Sequence, residues 1–176
     1  MTQPVIREIP LTGPGSGPYS ITVGPDGALW LTLAGSGGVA RLGLDGEVRT
    51  YRDDPPGSRP LIIVGGPDGA LWFVEIVAGQ LGRITPDGRI DEIPLPDRAA
   101  RPHAIVADPA GGCWFTEWGA NRIAHVDPDG HITAHALPTP ASEPHGLTVT
   151  PDGAVWAALE IGAVAHLTPP ASPAPR

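Results

Sequence analysis

The chain has 176 residues, 41% of them hydrophobic, and a net charge of −8. That is enough apolar material for a packed core, and the acidity leaves no basic stripe to follow a phosphate backbone, which argues against a nucleic-acid partner. No run of about 18 apolar residues predicts a membrane span, and Met1 to Leu11 has no apolar stretch of signal-peptide length, so the expectation is a cytoplasmic protein with no membrane partner.

The 24 Gly and 23 Pro recur at fixed offsets between apolar runs, which marks them as turn residues. In chain order, the first predicted strand is SITV (20–23), followed by Pro25-Asp26-Gly27 and a second strand, LWLT, that carries Trp30. Pro25 presets φ, Asp26 bonds to nearby backbone, and Gly27 takes the positive φ that other residues resist. A third strand and a tight turn follow in VARLGLDG (39–46), and a fourth strand in EVRTYRD (47–53).

The set then repeats. GPDGALW at 24–30 returns as GPDGALW at 66–72, DPAGGCW at 108–114 and TPDGAVW at 150–156, a step of 42 each time. Four short antiparallel strands in about 40–45 residues match one blade of a β-propeller. The predicted fold is therefore an all-β propeller with blades at about 12–53, 54–95, 96–137 and 138–170. A closed small ring, an open arc and a ring completed by a second chain all fit. The last blade lacks a fourth strand. VIREIPL (5–11) aligns with RIDEIPL (89–95) at twice the repeat, so 5–11 is expected to complete a last blade, its own or a neighbour's.

Trp30, Trp72, Trp114 and Trp156 hold one register and are expected in the core between blades. Cys113 stands where the other repeats carry Leu29, Leu71 and Val155, so it is expected to be a buried small hydrophobe. Glu75, Glu117 and Asn121 read as loop and turn residues, and His125, His131, His135 and His166 as surface residues of the outer strands.

First strands line a propeller's channel, and the residues after Pro18, Pro60, Pro102 and Pro144 are Tyr19, Leu61, His103 and His145. Two imidazoles and a phenol at one mouth would suit proton transfer and substrate orientation. Glu143 lies two residues before His145, and pairing around the Pro151-Asp152-Gly153 turn brings Glu160 back toward it. Two carboxylates beside an imidazole suit a hard cation such as Mg²⁺. The same residues also fit a plainer reading, in which Glu143 caps a loop, His145 bonds backbone carbonyls and Glu160 is solvated.

GPYSITVGPDGALW, FTEWGANRI, SEPHGL and VWAALE together resemble the virginiamycin B lyase (streptogramin B lyase) family, in a shortened form. The resemblance implies a seven-bladed propeller that opens cyclic type B streptogramin antibiotics by Mg²⁺-dependent elimination at an ester. It also implies roles: Glu143 and Glu160 as metal ligands, His145 as general base, and His103 and Tyr19 as substrate contacts. The expected partners are a small cyclic peptide substrate and, for a homodimer, a second copy completing the ring; a monomer is equally expected. The alternative function is a non-catalytic propeller that binds a peptide or partner at its mouth.

Overall fold

The computed structural model describes residues 4–11, 13, 15–52 and 57–169. It contains four separate antiparallel sheets, strung along the chain in sequence order. Sheet 1 is β1 (Pro18–Val23), β2 (Leu29–Leu33), β3 (Val39–Leu42) and β4 (Val48–Tyr51). Sheet 2 is β5 (Pro60–Gly65), β6 (Leu71–Glu75), β7 (Gln80–Ile84) and β8 (Ile90–Pro94). Sheet 3 is β9 (Pro102–Ala107), β10 (Cys113–Glu117), β11 (Arg122–Val126) and β12 (Ile132–Ala136). Sheet 4 has three strands, β13 (Pro144–Val149), β14 (Val155–Leu159) and β15 (Ala163–Leu167).

The inner strands β1, β5, β9 and β13 each contact the next, so the sheets stand side by side in a propeller-like arc. The arc is not closed. Within it, the Trp side of each sheet packs on the next sheet: Trp30 with Ile63, Leu71, Phe73 and Ile84, then Trp72 with Ile105, Cys113 and Phe115, then Trp114 with Val155 and Ala157. Trp156 has no following sheet and is 38% exposed, so the expectation of a core position holds for three of the four tryptophans. Cys113 is fully buried, and burial pushes its thiol pKa up.

Residues 4–11 form no strand. Within this chain the expected strand 5–11 does not join β15. Leu11 instead packs against the β2–β4 side of sheet 1, at the opposite end of the arc, which keeps the segment away from sheet 4.

The turn chemistry explains why Trp, Asp and a cation recur together. Asp26 Oδ1 accepts the Trp30 indole N–H at 2.9 Å and the Ala28 N–H at 3.3 Å, while Arg41 Nε donates to Asp26 Oδ2 at 2.6 Å. Asp68, Trp72, Ala70 and Arg83 repeat this one sheet later, at 3.1, 3.2 and 2.7 Å. In sheet 3 the acid has moved to Asp108, which takes the Trp114 N–H at 2.9 Å, and His125 replaces the arginine, 3.1 Å from Asp108 Oδ2. His125 is thus a half-buried partner of the tryptophan and not merely a surface residue.

Glu75 and Glu117 also differ from the loop role expected of them. Both are buried at the ends of β6 and β10. Glu75 is held by Gln80, which also bonds Glu92, and Glu117 is paired with Arg122. These buried acids tie the second strand of a sheet to its third, so each charge has a partner when water is removed. No helix among the described residues is long and apolar enough to cross a membrane.

Candidate functional site

The residues just before the four inner-strand prolines share one backbone state. Gly17, Arg59, Arg101 and Glu143 have φ of 58°, 57°, 53° and 49°, all left-handed, and each precedes a proline. That region is costly for a side-chain-bearing residue and is held only where the surroundings over-determine it. Here the surroundings are a bulge: pairing of β13 with β14 slips between Pro144 and Leu147, and the same slip occurs in the other three sheets. Glu143 is therefore presented by a left-handed turn at the entry of β13.

Glu160 arrives from the other side. Its N–H bonds the carbonyls of Ser142 at 3.0 Å and Glu143 at 3.3 Å, which locks the exit of β14 against the entry of β13. The two carboxyl groups meet there. The bond to Glu160 raises the pKa of Glu143, and burial adds to the rise. Glu160 is held below the usual range, first by His145 and then by its bond to Glu143. His145 Nε2 lies 3.0 Å from Glu160 Oε2.

The imidazole is fixed by sheet 3. The Thr116 hydroxyl, fully buried, accepts the Ala104 N–H at 3.1 Å and donates to the His145 carbonyl at 2.8 Å. His103, one repeat earlier, meets His145 edge to face with ring centroids 4.7 Å apart. Burial first, and then His145, lowers the pKa of His103 and keeps it neutral, and its Nδ1 is buried without a hydrogen-bond partner.

Trp118 is the residue that sequence reading missed. It occupies the register of Glu160 one repeat earlier, and that spacing of 42 could have singled it out. Its indole faces Glu143 and works against the rise in that group's pKa, although Nε1 closes no bond of ordinary geometry. The Arg101 guanidinium lies 4.8 Å over its ring.

Glu143, His145, Glu160 and His103 thus come together at one open mouth, with Glu160 exposed and the other three half-buried. Tyr19 does not join them: it is in sheet 1, with sheets 2 and 3 between. Leu61, at the equivalent place in sheet 2, is buried in the core. Among the described residues the donors of Asp127, Asp129 and His131 all come within 4.8 Å of one another, which those of Glu143, His145 and Glu160 do not. There Asp127 Oδ1 accepts the N–H groups of Asp129 and His131 at 2.9 and 2.8 Å, which makes it a turn cap on the outer strands.

The adjacent carboxyl groups of Glu143 and Glu160 are hard oxygen donors, the kind that a divalent cation such as Mg²⁺ takes one or two of while leaving its other positions to water or substrate.

The model of the virginiamycin B lyase family matches residues 3–167. The chain belongs to the virginiamycin B lyase family. Over 49 residues it is 57% identical to the virginiamycin B lyase of Saccharopolyspora erythraea, a match covering 28% of this chain and 16% of that one. Among solved structures, a streptogramin B lyase superposes with a TM-score of 0.88 at 42% identity over 92% of this chain and 54% of its own. A catalytically inactive histidine-to-alanine variant of the Staphylococcus aureus virginiamycin B lyase, solved with quinupristin, superposes with a TM-score of 0.83 at 32% identity, over 94% of this chain and 60% of its own. The chain spans between half and two thirds of the length of these two solved lyases.

Proposed function

We propose that this member of the virginiamycin B lyase family is a lyase of cyclic depsipeptides of the type B streptogramin class, opening the ring by elimination at its ester. The observation that carries this reading is the meeting of Glu143, His145 and Glu160 at one mouth, with His145 Nε2 3.0 Å from Glu160. A merely binding mouth has no use for two adjacent carboxyl groups set against an imidazole. The inactive Staphylococcus aureus variant lacks a histidine, and His145 is the histidine this chain would bring to the same task.

Glu143 and Glu160 would hold Mg²⁺, which when bound supplies polarisation of a substrate carbonyl and so acidifies the adjacent C–H. The remaining work falls to the chain. In the neutral tautomer that donates Nε2–H to Glu160, the His145 lone pair is on Nδ1, and that nitrogen is the atom that takes the proton. Thr116 fixes the backbone beneath it. His103, kept neutral by burial, can hold a substrate carbonyl or amide without adding charge.

The elimination breaks a C–H and a C–O bond and yields a carboxylic acid and an alkene, with no water consumed. Incubating the purified chain with a type B streptogramin, with Mg²⁺ and then with EDTA, and following the product by mass spectrometry tests this directly. Metal-dependent linearisation without a gain of water mass is the expected result. Opening with the mass of one added water would make the enzyme a hydrolase, and an unchanged antibiotic would overturn the assignment of substrate.

A further inference from the structure

The turn that presents Glu143 is gripped from sheet 3 at both of its ends. Thr116 bonds the His145 carbonyl at 2.8 Å, and Asn121 Oδ1 accepts the N–H of Ser142 at 2.7 Å. The other half of the Asn121 amide, Nδ2, donates at 2.8 Å to the Thr139 carbonyl, which also accepts the Ser142 hydroxyl at 2.6 Å. The Asn121 carbonyl in turn accepts the Leu137 N–H at 3.0 Å. One residue thus holds the segment 137–142 at Leu137, Thr139 and Ser142. Ser142, fully buried, passes the restraint on, because its own carbonyl accepts the Glu160 N–H at 3.0 Å.

The repeat explains why the grip falls on this loop. Gly37, Gly79 and Asn121 stand 42 residues apart and share a left-handed φ of 76°, 64° and 57°, so the backbone turn itself needs no side chain. The Gly79 carbonyl takes the Leu95 N–H at 3.1 Å as that of Asn121 takes Leu137, but glycine has nothing with which to reach the loop beyond. The loop before β9 closes on itself instead. The Asp97 carbonyl accepts the N–H of Ala100, the counterpart of Ser142, at 3.1 Å, and Asp97 Oδ1 accepts that of Ala99 at 2.9 Å. The loop before β13 carries Thr139 in the place of Asp97, and two of its residues, Ala141 and Glu143, are left-handed without being glycine. Such residues keep that state only where their surroundings fix it, and here the fixing group comes from the neighbouring sheet.

We propose that Asn121 is a positioning residue for the acid pair, its amide setting the turn at which Glu143 meets Glu160 and thereby the affinity of that pair for a divalent cation. The cation part rests on the reading of Glu143 and Glu160 as ligands; the setting of the turn does not. The amide oxygen and nitrogen of Asn121 are both engaged with the loop, so it acts through Glu143 and not on the reacting atoms. Mg²⁺ demands near-ideal octahedral geometry and tolerates little drift in its protein oxygens. Release of the Ser142 N–H would let Glu143 relax toward an ordinary φ, which swings its carboxylate away from Glu160 and weakens the pair as a donor set.

Asn121→Gly tests this, since Gly37 and Gly79 occupy the same turn in the sheets before it. With no metal present, amide exchange followed by NMR should be about tenfold faster at Glu160, whose N–H Asn121 does not touch, and unchanged at Leu137, which bonds only the Asn121 backbone. Titration with Mn²⁺ alone, read from the EPR signal of the free ion, should give one site in the wild type and none in Glu160→Gln. In Asn121→Gly that site should be about tenfold weaker, the order set by one or two lost hydrogen bonds. Gly82→Ala, a destabilised control in sheet 2, should bind Mn²⁺ as the wild type does. Unchanged exchange at Glu160, a rise at Glu160 and Leu137 alike, wild-type Mn²⁺ affinity in Asn121→Gly, or equal weakening in Gly82→Ala would each overturn the proposal. If the wild type takes up no Mn²⁺ while exchange at Glu160 rises as expected, the acids are not metal ligands and the role of Asn121 in setting the turn stands.

Discussion

Thr116 shows how a side chain outside the mouth sets its geometry. One buried hydroxyl joins the Ala104 N–H of its own sheet to the His145 carbonyl of the next. Thr116→Val would leave both groups unsatisfied and should cost about 1–3 kcal/mol in denaturant unfolding, with Thr116→Ser recovering most of it. His145→Ala should leave the circular dichroism unchanged and cut turnover of the depsipeptide by about 10²-fold or more, the range for a lost general base; unaltered turnover would exclude that role. His103 and His145 were legible as a pair because the repeat puts both after a proline, 42 residues apart. Trp118 was not, since it lies past the tryptophan register of the second strands, between two residues read as loop and turn. Only its register with Glu160, and the left-handed turn that aims Glu143 at it, reveal its place.

At the scale of the strand and its turn, the aspartates of the Pro-Asp-Gly motif link β2 to β3 and β6 to β7. Burial works against the charge on Asp26 and Asp68, but for Asp26 the bonds from Trp30 and Arg41, and for Asp68 those from Arg83 and Trp72, outweigh it and hold both pKa values below the ordinary one. A depressed folded pKa gives stability that is present in full above the unfolded value and is lost as pH falls through the folded one. The melting temperature should therefore drop below about pH 4, and Asp26→Asn with Asp68→Asn should lower it at neutral pH and flatten the acid limb. Gly82 marks a packing limit in the same sheet: a Cβ there would overlap the Phe73 ring, and Phe73 is fully buried. Gly82→Ala should cost about 1–3 kcal/mol, read from the denaturant midpoint. Strand order and turn positions were plain from Pro-Asp-Gly and the tryptophans, whereas the arginine that completes the motif was not. Arg41 and Arg83 lie 15 residues from their aspartates and meet them only once the third strand has folded back.

For the whole molecule, the repeat announced the sheets but not the form of the arc. Position in the row, not sequence, decides what each copy of the motif contributes. Trp72→Ala should cost about 3–5 kcal/mol, as for a fully enclosed aromatic. Trp156→Ala should cost well under half of that in a monomeric chain, since so much of the side chain already meets solvent. The strand expected at 5–11 illustrates the same point, because its sequence suits an outer edge and nothing in the one chain offers that edge within reach. The three-stranded last sheet has a further consequence, for the timing of motion. Among the described residues β15 is an outer edge whereas its equivalents β3, β7 and β11 are flanked on both sides, so hydrogen exchange should be faster in β15 than in those three. β15 belongs to the sheet whose other two strands carry or adjoin Glu143, His145 and Glu160, so anything bound by those three groups would also slow the breathing of that sheet.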